Sequence, residues 1–251
     1  VAIASIISQY ISAFLILRAL AKMGGDYALR LSELHFDRRM AKYIIQIGLP
    51  AGLQNGIFQV ANLFIQAGVN SFDATMVAGN SAAANADALL YDTMAAFYTA
   101  CGSFMGQNYG AGKRDRVRKS YLISLTYSFG IGLIGGICLV IFGKQFLALF
   151  TGEAAVIEAG MKRLTIMGFS YGFSAFMDCT IAGSRALGKS IVPTVIVIMG
   201  SCVFRMIWVN TVFAYFRTIP SLYLLYIFSW GITAIVEIIY FIHVYKTTKI
   251  E

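Results

Sequence analysis

Charge is what this sequence has least of. Of its 251 residues only 13% are Asp, Glu, Lys or Arg, while 58% are hydrophobic; a soluble domain carries about a quarter charged residues. Most stretches offer none of the polar surface that a fold in water needs, so the deficit excludes an ordinary soluble domain and makes lipid the solvent. Paired cysteines are missing as well. Cys101, Cys138, Cys179 and Cys202 sit inside apolar runs with no paired spacing, which excludes a disulfide framework or a zinc site and leaves small apolar packing residues. The two histidines, His35 and His243, fall at predicted membrane edges, and no apolar run holds a His beside a carboxylate; an intramembrane enzyme has no support. Strict apolar–polar alternation is absent, which excludes a membrane β-barrel. Finally, the net charge of +8 comes from short basic clusters between apolar runs, which is how membrane topology is written and not a nucleic-acid footprint.

What is there are long apolar runs. A spanning helix needs about 20 mostly apolar residues, and seven runs qualify: Val1–Leu17, Tyr43–Gly68, Met76–Phe104, Tyr121–Phe142, Leu164–Ala186, Ile191–Tyr215 and Leu222–Tyr245. The fold expected is therefore an all-α integral membrane protein. Val1–Leu17 carries no charged leader and no cleavage pattern, and is expected to be the remainder of a spanning helix. Arg18–Lys42, with Leu29, Leu31, Leu34 and Phe36 among its charges, reads as an amphipathic connector at the membrane surface, and residues 43–251 as a six-helix bundle. Alternate loops and the tail, from Arg18–Lys42 through Lys113–Lys119 and Arg185–Lys189 to Lys246–Lys249, carry fifteen of the twenty Lys and Arg. By the positive-inside bias they and the C-terminus are cytoplasmic; Lys144, Lys162, Arg163 and Arg217 fall on the other side. Gly132-x-x-x-Gly136 and Gly168-x-x-x-Gly172 are spacings that let helices approach closely.

An ionisable residue within a spanning helix is costly and marks a functional candidate. Asp87, Asp92, Asp178, Arg205 and Glu237 qualify. Arg205 paired with Glu237 or Asp178 would hold helices in register, whereas the aspartates outnumber the intramembrane cations and suit a solvated cavity. In the second run Asn55, Gln59, Asn62 and Gln66 recur at intervals of four, three and four and share one stripe. Such amides can line a watery path or hydrogen-bond between helices. In the third run Asp87 shares a face with Asn80, Tyr91 and Tyr98; Asp92 lies on another, about 140° away at 100° per residue. Asp87, flanked by tyrosines, is expected nearer the cavity. Ser170, Ser174 and Asp178 form a further stripe, and aromatics near these acids would suit an organic cation.

The run Gly106-Gln107-Asn108-Tyr109-Gly110-Ala111-Gly112-Lys113 is physically a helix stop with flexible glycines, an amide pair and a basic loop. With Gln107, Asn108, Gly110 and Ala111 it closely resembles the Gln-Asn-x-Gly-Ala loop of the multidrug-and-toxin-extrusion (MATE) transporters. Gly48-Leu49-Pro50-Ala51-Gly52-Leu53-Gln54, Asn62 to Gln66, Asn70-Ser71-Phe72, Val77-Ala78-Gly79-Asn80 and Gly183-Ser184-Arg185-Ala186-Leu187-Gly188-Lys189 resemble the same family in the same order.

That resemblance implies two similar bundles of six helices. Residues 1–17 would be the last helix of an N-terminal bundle, 18–42 the cytoplasmic link and 43–251 the C-terminal bundle, with the N-terminal bundle of the same chain as a missing partner. It implies a multi-pass protein of the cell membrane, a bacterial inner membrane, that exports cationic or amphiphilic small molecules in exchange for sodium or protons. It needs no other cofactor and is not an enzyme. Asp87, Asp178 and Glu237, with Tyr91 and Ser174 beside them, are the candidate coupling and substrate residues. The sodium-coupled branch carries an acid in the first helix of this bundle, where this sequence has amides, and an aspartate where Ser174 stands. A lipid-linked-oligosaccharide flippase of similar two-bundle fold is the alternative; it calls for a strongly basic central cavity, and Arg205 alone is expected deep in the membrane.

Overall fold

The computed structural model describes residues 2–24, 29–30 and 35–249; Val1, Leu31 and Leu34 of the expected first helix and connector lie outside them. The described residues form helices joined by short turns: α1 (Ala2–Lys22), α2 (Arg38–Asn70), α3 (Ala74–Gly110), α4 (Arg114–Leu147), α5 (Ala154–Met167), α6 (Tyr171–Ala186), α7 (Ile191–Phe216) and α8 (Ile219–Thr247). By contacts the chain divides into two compact units, Val1–Tyr43 and Ile44–Glu251, the boundary falling in the first turns of α2. In the first unit α1 is long and apolar enough to cross a membrane.

In the second unit, α4, α7 and α8 also meet the length and composition of a membrane span. α2 and α3 are longer still but carry the amides and aspartates that dilute their apolar runs. The predicted fifth span, Leu164–Ala186, is corrected: the helix begins at Ala154 and is interrupted between Met167 and Tyr171. Around that break Ser170 and Ser174 donate to the carbonyls of Met167 and Tyr171 at 2.6 and 2.8 Å. The predicted Ser170–Ser174–Asp178 stripe therefore loses its hydroxyls to its own backbone, which satisfies carbonyls that a broken helix exposes.

Local signals explain the ends. Asp73 caps α3 by accepting from the Met76 amide at 2.7 Å, and Thr218 and Ser221 form a capping box at the start of α8. At the end of α3, Lys113 N–H donates to Asn108 C=O and Gly112 N–H to Tyr109 C=O; Gly112 is left-handed, φ 68°. Gly188 closes α6 in the same way, φ 77°, with Lys189 donating to Ser184 and Gly188 to Arg185. Both are αL stops that only glycine enters without strain.

α3, α6 and α8 hold the centre of this unit, their apolar faces meeting in clusters around Met94, Tyr171, Trp230 and, toward the opposite end, Cys101, Cys179 and Phe241. α2 joins through Ile65 and Val69, which pack on Leu222, Tyr223 and Leu225. The two small-residue motifs face each other: a Cβ on Gly136 would lie 1.8 Å from the Gly168 carbonyl oxygen, so α4 touches the α5–α6 break backbone to backbone.

Candidate functional site

A second glycine contact positions the site. α3 and α5 meet where a Cβ on Gly79 would come within 2.6 Å of the Gly160 nitrogen. Asn80, next on α3, and Arg163, one turn on in α5, therefore face each other. Arg163 donates through one Nη to Asn80 Oδ1 and through the other to Asp87 Oδ2, and the Tyr171 hydroxyl donates to Asp87 Oδ1. Tyr223 donates a further hydrogen bond to Asn80 Oδ1 at 2.7 Å. Asp87 and Arg163 are an ion pair, their side chains 17% and 10% exposed.

This network lines a cavity of about 590 Å³. Gln59, Asn62 and Gln66 of α2 form one wall, Asp87 and Tyr91 of α3 another, and Tyr226 and Trp230 of α8 a third. The α2 amides are exposed, so the cavity opens past them. Asn55, the fourth of the predicted stripe, is exposed but does not line it, and Gln66 bonds Asn70 on its own helix at 2.8 Å. Three of the four amides of the stripe thus line the cavity. Asp92 is exposed and lines no part of the cavity, as the angular separation from Asp87 required.

Arg205 lies at the far side, 1% exposed. Its guanidinium carbon sits 4.6 Å from the ring centre of Tyr226, 5.0 Å from Phe58 and 5.6 Å from Trp230. Nε donates to Ser229 Oγ at 3.2 Å, and Nη2 is buried without a hydrogen-bond partner. α7 carries π-helical turns at Ile198–Val203 and Val209–Phe213, on either side of this residue. Such turns re-aim side chains and occur often at functional sites.

Several expectations are corrected here. Arg163 is no loop residue: it is buried in α5 and neutralises Asp87, so Asp87 is not a free acid awaiting a cation. The expected pairing of Arg205 with Glu237 or Asp178 is not among the ion pairs of the described residues; the rings of Phe58, Tyr226 and Trp230 surround it instead. Asp178 stands behind the wall, accepting from the Tyr91 hydroxyl at 3.3 Å. Glu237 is fully buried on α8 and neither carboxylate oxygen has a hydrogen-bond partner. Ser174 is buried away from the cavity. Gln107, Asn108, Gly110 and Ala111 end α3, where the Asn108 amide donates to the Phe104 carbonyl at 2.7 Å; this motif is a helix stop outside the cavity. The missed residue, Arg163, had a signal: Val156, Ala159, Gly160, Arg163, Leu164 and Met167 are the buried residues of α5, and their spacing marks one helical face.

A multi-pass helical bundle with a polar cavity among its helices is the architecture of a membrane transporter. The chain belongs to the MatE family, whose model matches residues 50–216. Among curated proteins it is 23% identical over 205 residues to the "Probable multidrug resistance protein NorM" of Thermotoga maritima, covering 78% of this chain and 42% of that protein. It is 28% identical over 138 residues to the "FAD transporter" of Shewanella oneidensis, covering 54% of this chain and 30% of that one. Among solved structures, an outward-facing multidrug resistance MATE family transporter matches with TM-score 0.86 at 20% identity, covering 99% of this chain and 56% of that one. A MOP superfamily transporter from Pyrococcus furiosus, described as having a binding pocket of reverse polarity, matches with TM-score 0.87 at 19% identity and the same coverage. The chain covers less than half the length of these two curated relatives and 56% of each of the two solved structures. The family's named members are transporters and not enzymes.

Proposed function

We propose that this chain forms the C-terminal half of a cation-coupled exporter of amphiphilic small molecules, working with an N-terminal bundle of the same protein in a bacterial inner membrane, C-terminus in the cytoplasm. The observation that carries the reading is the cavity of about 590 Å³ walled by α2 amides, aromatic rings and an ion pair. Amides and rings hydrogen-bond and stack on varied organic molecules, and family members named for multidrug resistance support that class of cargo. The cationic preference expected from the sequence is not carried over, because the Asp87 charge is already matched by Arg163. Sodium or protons supply the drive, with no other cofactor. Their site is a carboxylate that holds no other cation: Asp178, bonded by Tyr91, or Glu237, whose oxygens are free.

The test is efflux of fluorescent amphiphilic dyes from cells making the full-length transporter, under sodium and proton gradients in turn, with Asp178→Asn and Glu237→Gln. Gradient-driven efflux lost in one of the two variants supports the reading. Unchanged efflux in both removes the coupling assignment, and no dye movement removes the exporter. A second reading, the lipid-linked-oligosaccharide flippase, rests on Arg205 alone, since Asp87 offsets Arg163 on the same wall; transport of a lipid-linked glycan in place of dye would establish it.

A further inference from the structure

We infer that the cavity holds an anionic group of its cargo, a carboxylate or phosphate on a planar aromatic body, against the Arg205 guanidinium. This rests on the reading of the cavity as the cargo path and names the class of cargo. Two arginines and one carboxylate line the wall. Arg163 and Asp87 cancel each other in an ion pair, whereas Arg205 forms no such close pair among the described residues and has only Asp178 as an acid acting on it from farther off. A guanidinium presents five N–H donors. Here Nε is used by Ser229, the ring faces of Phe58, Tyr226 and Trp230 cover the cation, and Nη2 has no partner although it is buried. Rings stabilise the charge but accept none of its in-plane hydrogen bonds, so a buried donor is left unpaired that a carboxylate or phosphate, whose oxygens match a guanidinium in pairs, would satisfy. That acid, Asp178, takes its hydrogen bond from Tyr91 and not from Arg205. Phe58 and Tyr226, which keep part of their surface exposed, offer the rest of the molecule an aromatic edge beside the α2 amides. An organic cation would meet an already filled aromatic cage and an already neutralised acid.

The experiment uses the complete transporter, purified in detergent and reconstituted in liposomes. Binding is measured for two xanthene dyes of similar ring and opposite charge, fluorescein as the anion and a rhodamine ester as the cation. A third arm uses nanodiscs with fluorophore-labelled phosphatidylglycerol, which separates an anionic lipid headgroup from a free organic anion. Fluorescein is expected to bind more tightly than the rhodamine ester, and Arg205→Gln to weaken it about tenfold while Arg205→Lys weakens it less, in line with loss of one charge-assisted pair. Asp87→Asn, which unmasks Arg163, is expected to tighten fluorescein several-fold; this variant keeps the test decisive if Arg205→Gln unfolds. Binding of the labelled lipid alone, lost in Arg205→Gln, supports the anion site with a headgroup as its occupant. Preference for the rhodamine ester, or an anion affinity that neither Arg205→Gln nor Asp87→Asn alters, overturns the inference. Dye binding with the expected charge preference but no gradient-driven movement in liposomes overturns the exporter reading and leaves the anion site standing.

Discussion

At the scale of single residues, the chemistry of the cavity depends on which charge meets which. Removing one member of a buried ion pair leaves the other uncompensated, at a cost of about 3–5 kcal/mol. Because the Asp87 and Arg163 side chains keep 17% and 10% of their exposure, Arg163→Ala is expected near the lower end, about 3 kcal/mol. Thermal unfolding in detergent reads this as a lowered midpoint, and adding Asp87→Asn to the same chain is expected to restore much of it. A midpoint unmoved by Arg163→Ala would remove the pair from the stability of the bundle. Asn80, which accepts from Arg163 and Tyr223 while 4% exposed, gives a smaller expectation of about 1–3 kcal/mol for Asn80→Ala, since two buried donors lose their acceptor. Helical spacing set Asn80, Asp87, Tyr91 and Tyr98 on one face, and the first three line the cavity while Tyr98 does not. The partner of Asp87 was not legible, because counting loop charges put Arg163 outside the membrane, and its spacing within α5 was the signal that contradicted that count.

At the scale of elements, two kinds of glycine do different work. Gly136 lets α4 approach the α5–α6 break, where any Cβ would strike the Gly168 carbonyl. Gly136→Ala must push the helices apart and is expected to cost about 1–3 kcal/mol, as over-packing does, measured as loss of folded protein on heating. Gly188, by contrast, faces open space at φ 77°. Gly188→Ala is expected to cost only the left-handed strain, about 1–2 kcal/mol, and Gly188→Asn less; equal effects from both would argue against the αL stop. Among the described residues six of the seven apolar runs each lie in one helix, the fifth is divided between α5 and α6, and the small-residue spacings do meet. Hidden from the sequence were the break at Gly168–Ser170, where no proline stands, and the π-helical turns of α7, which lie against α8.

At the scale of the whole molecule, orientation and cargo remain linked to the alternating basic loops. In the full-length transporter a lone cysteine at Ala111 is expected to resist a membrane-impermeant maleimide added outside intact cells, and one at Gly152, on an exposed turn, to react with it. The reverse pattern would invert the topology drawn from the charge bias.

The sequence by itself determined that the chain is helical and membrane-spanning, where most helices run, and that it resembles the family whose model it matches. Hydrophobic length and helical periodicity are local properties and survive any packing. Tertiary structure alone decided that Asp87 is neutralised, that Arg205 is caged by rings, and that Glu237 and Asp178 make no ion pair among the described residues. Ion pairing depends on distances of a few ångströms between helices far apart in the chain, and those distances are set by where glycines allow backbones to touch.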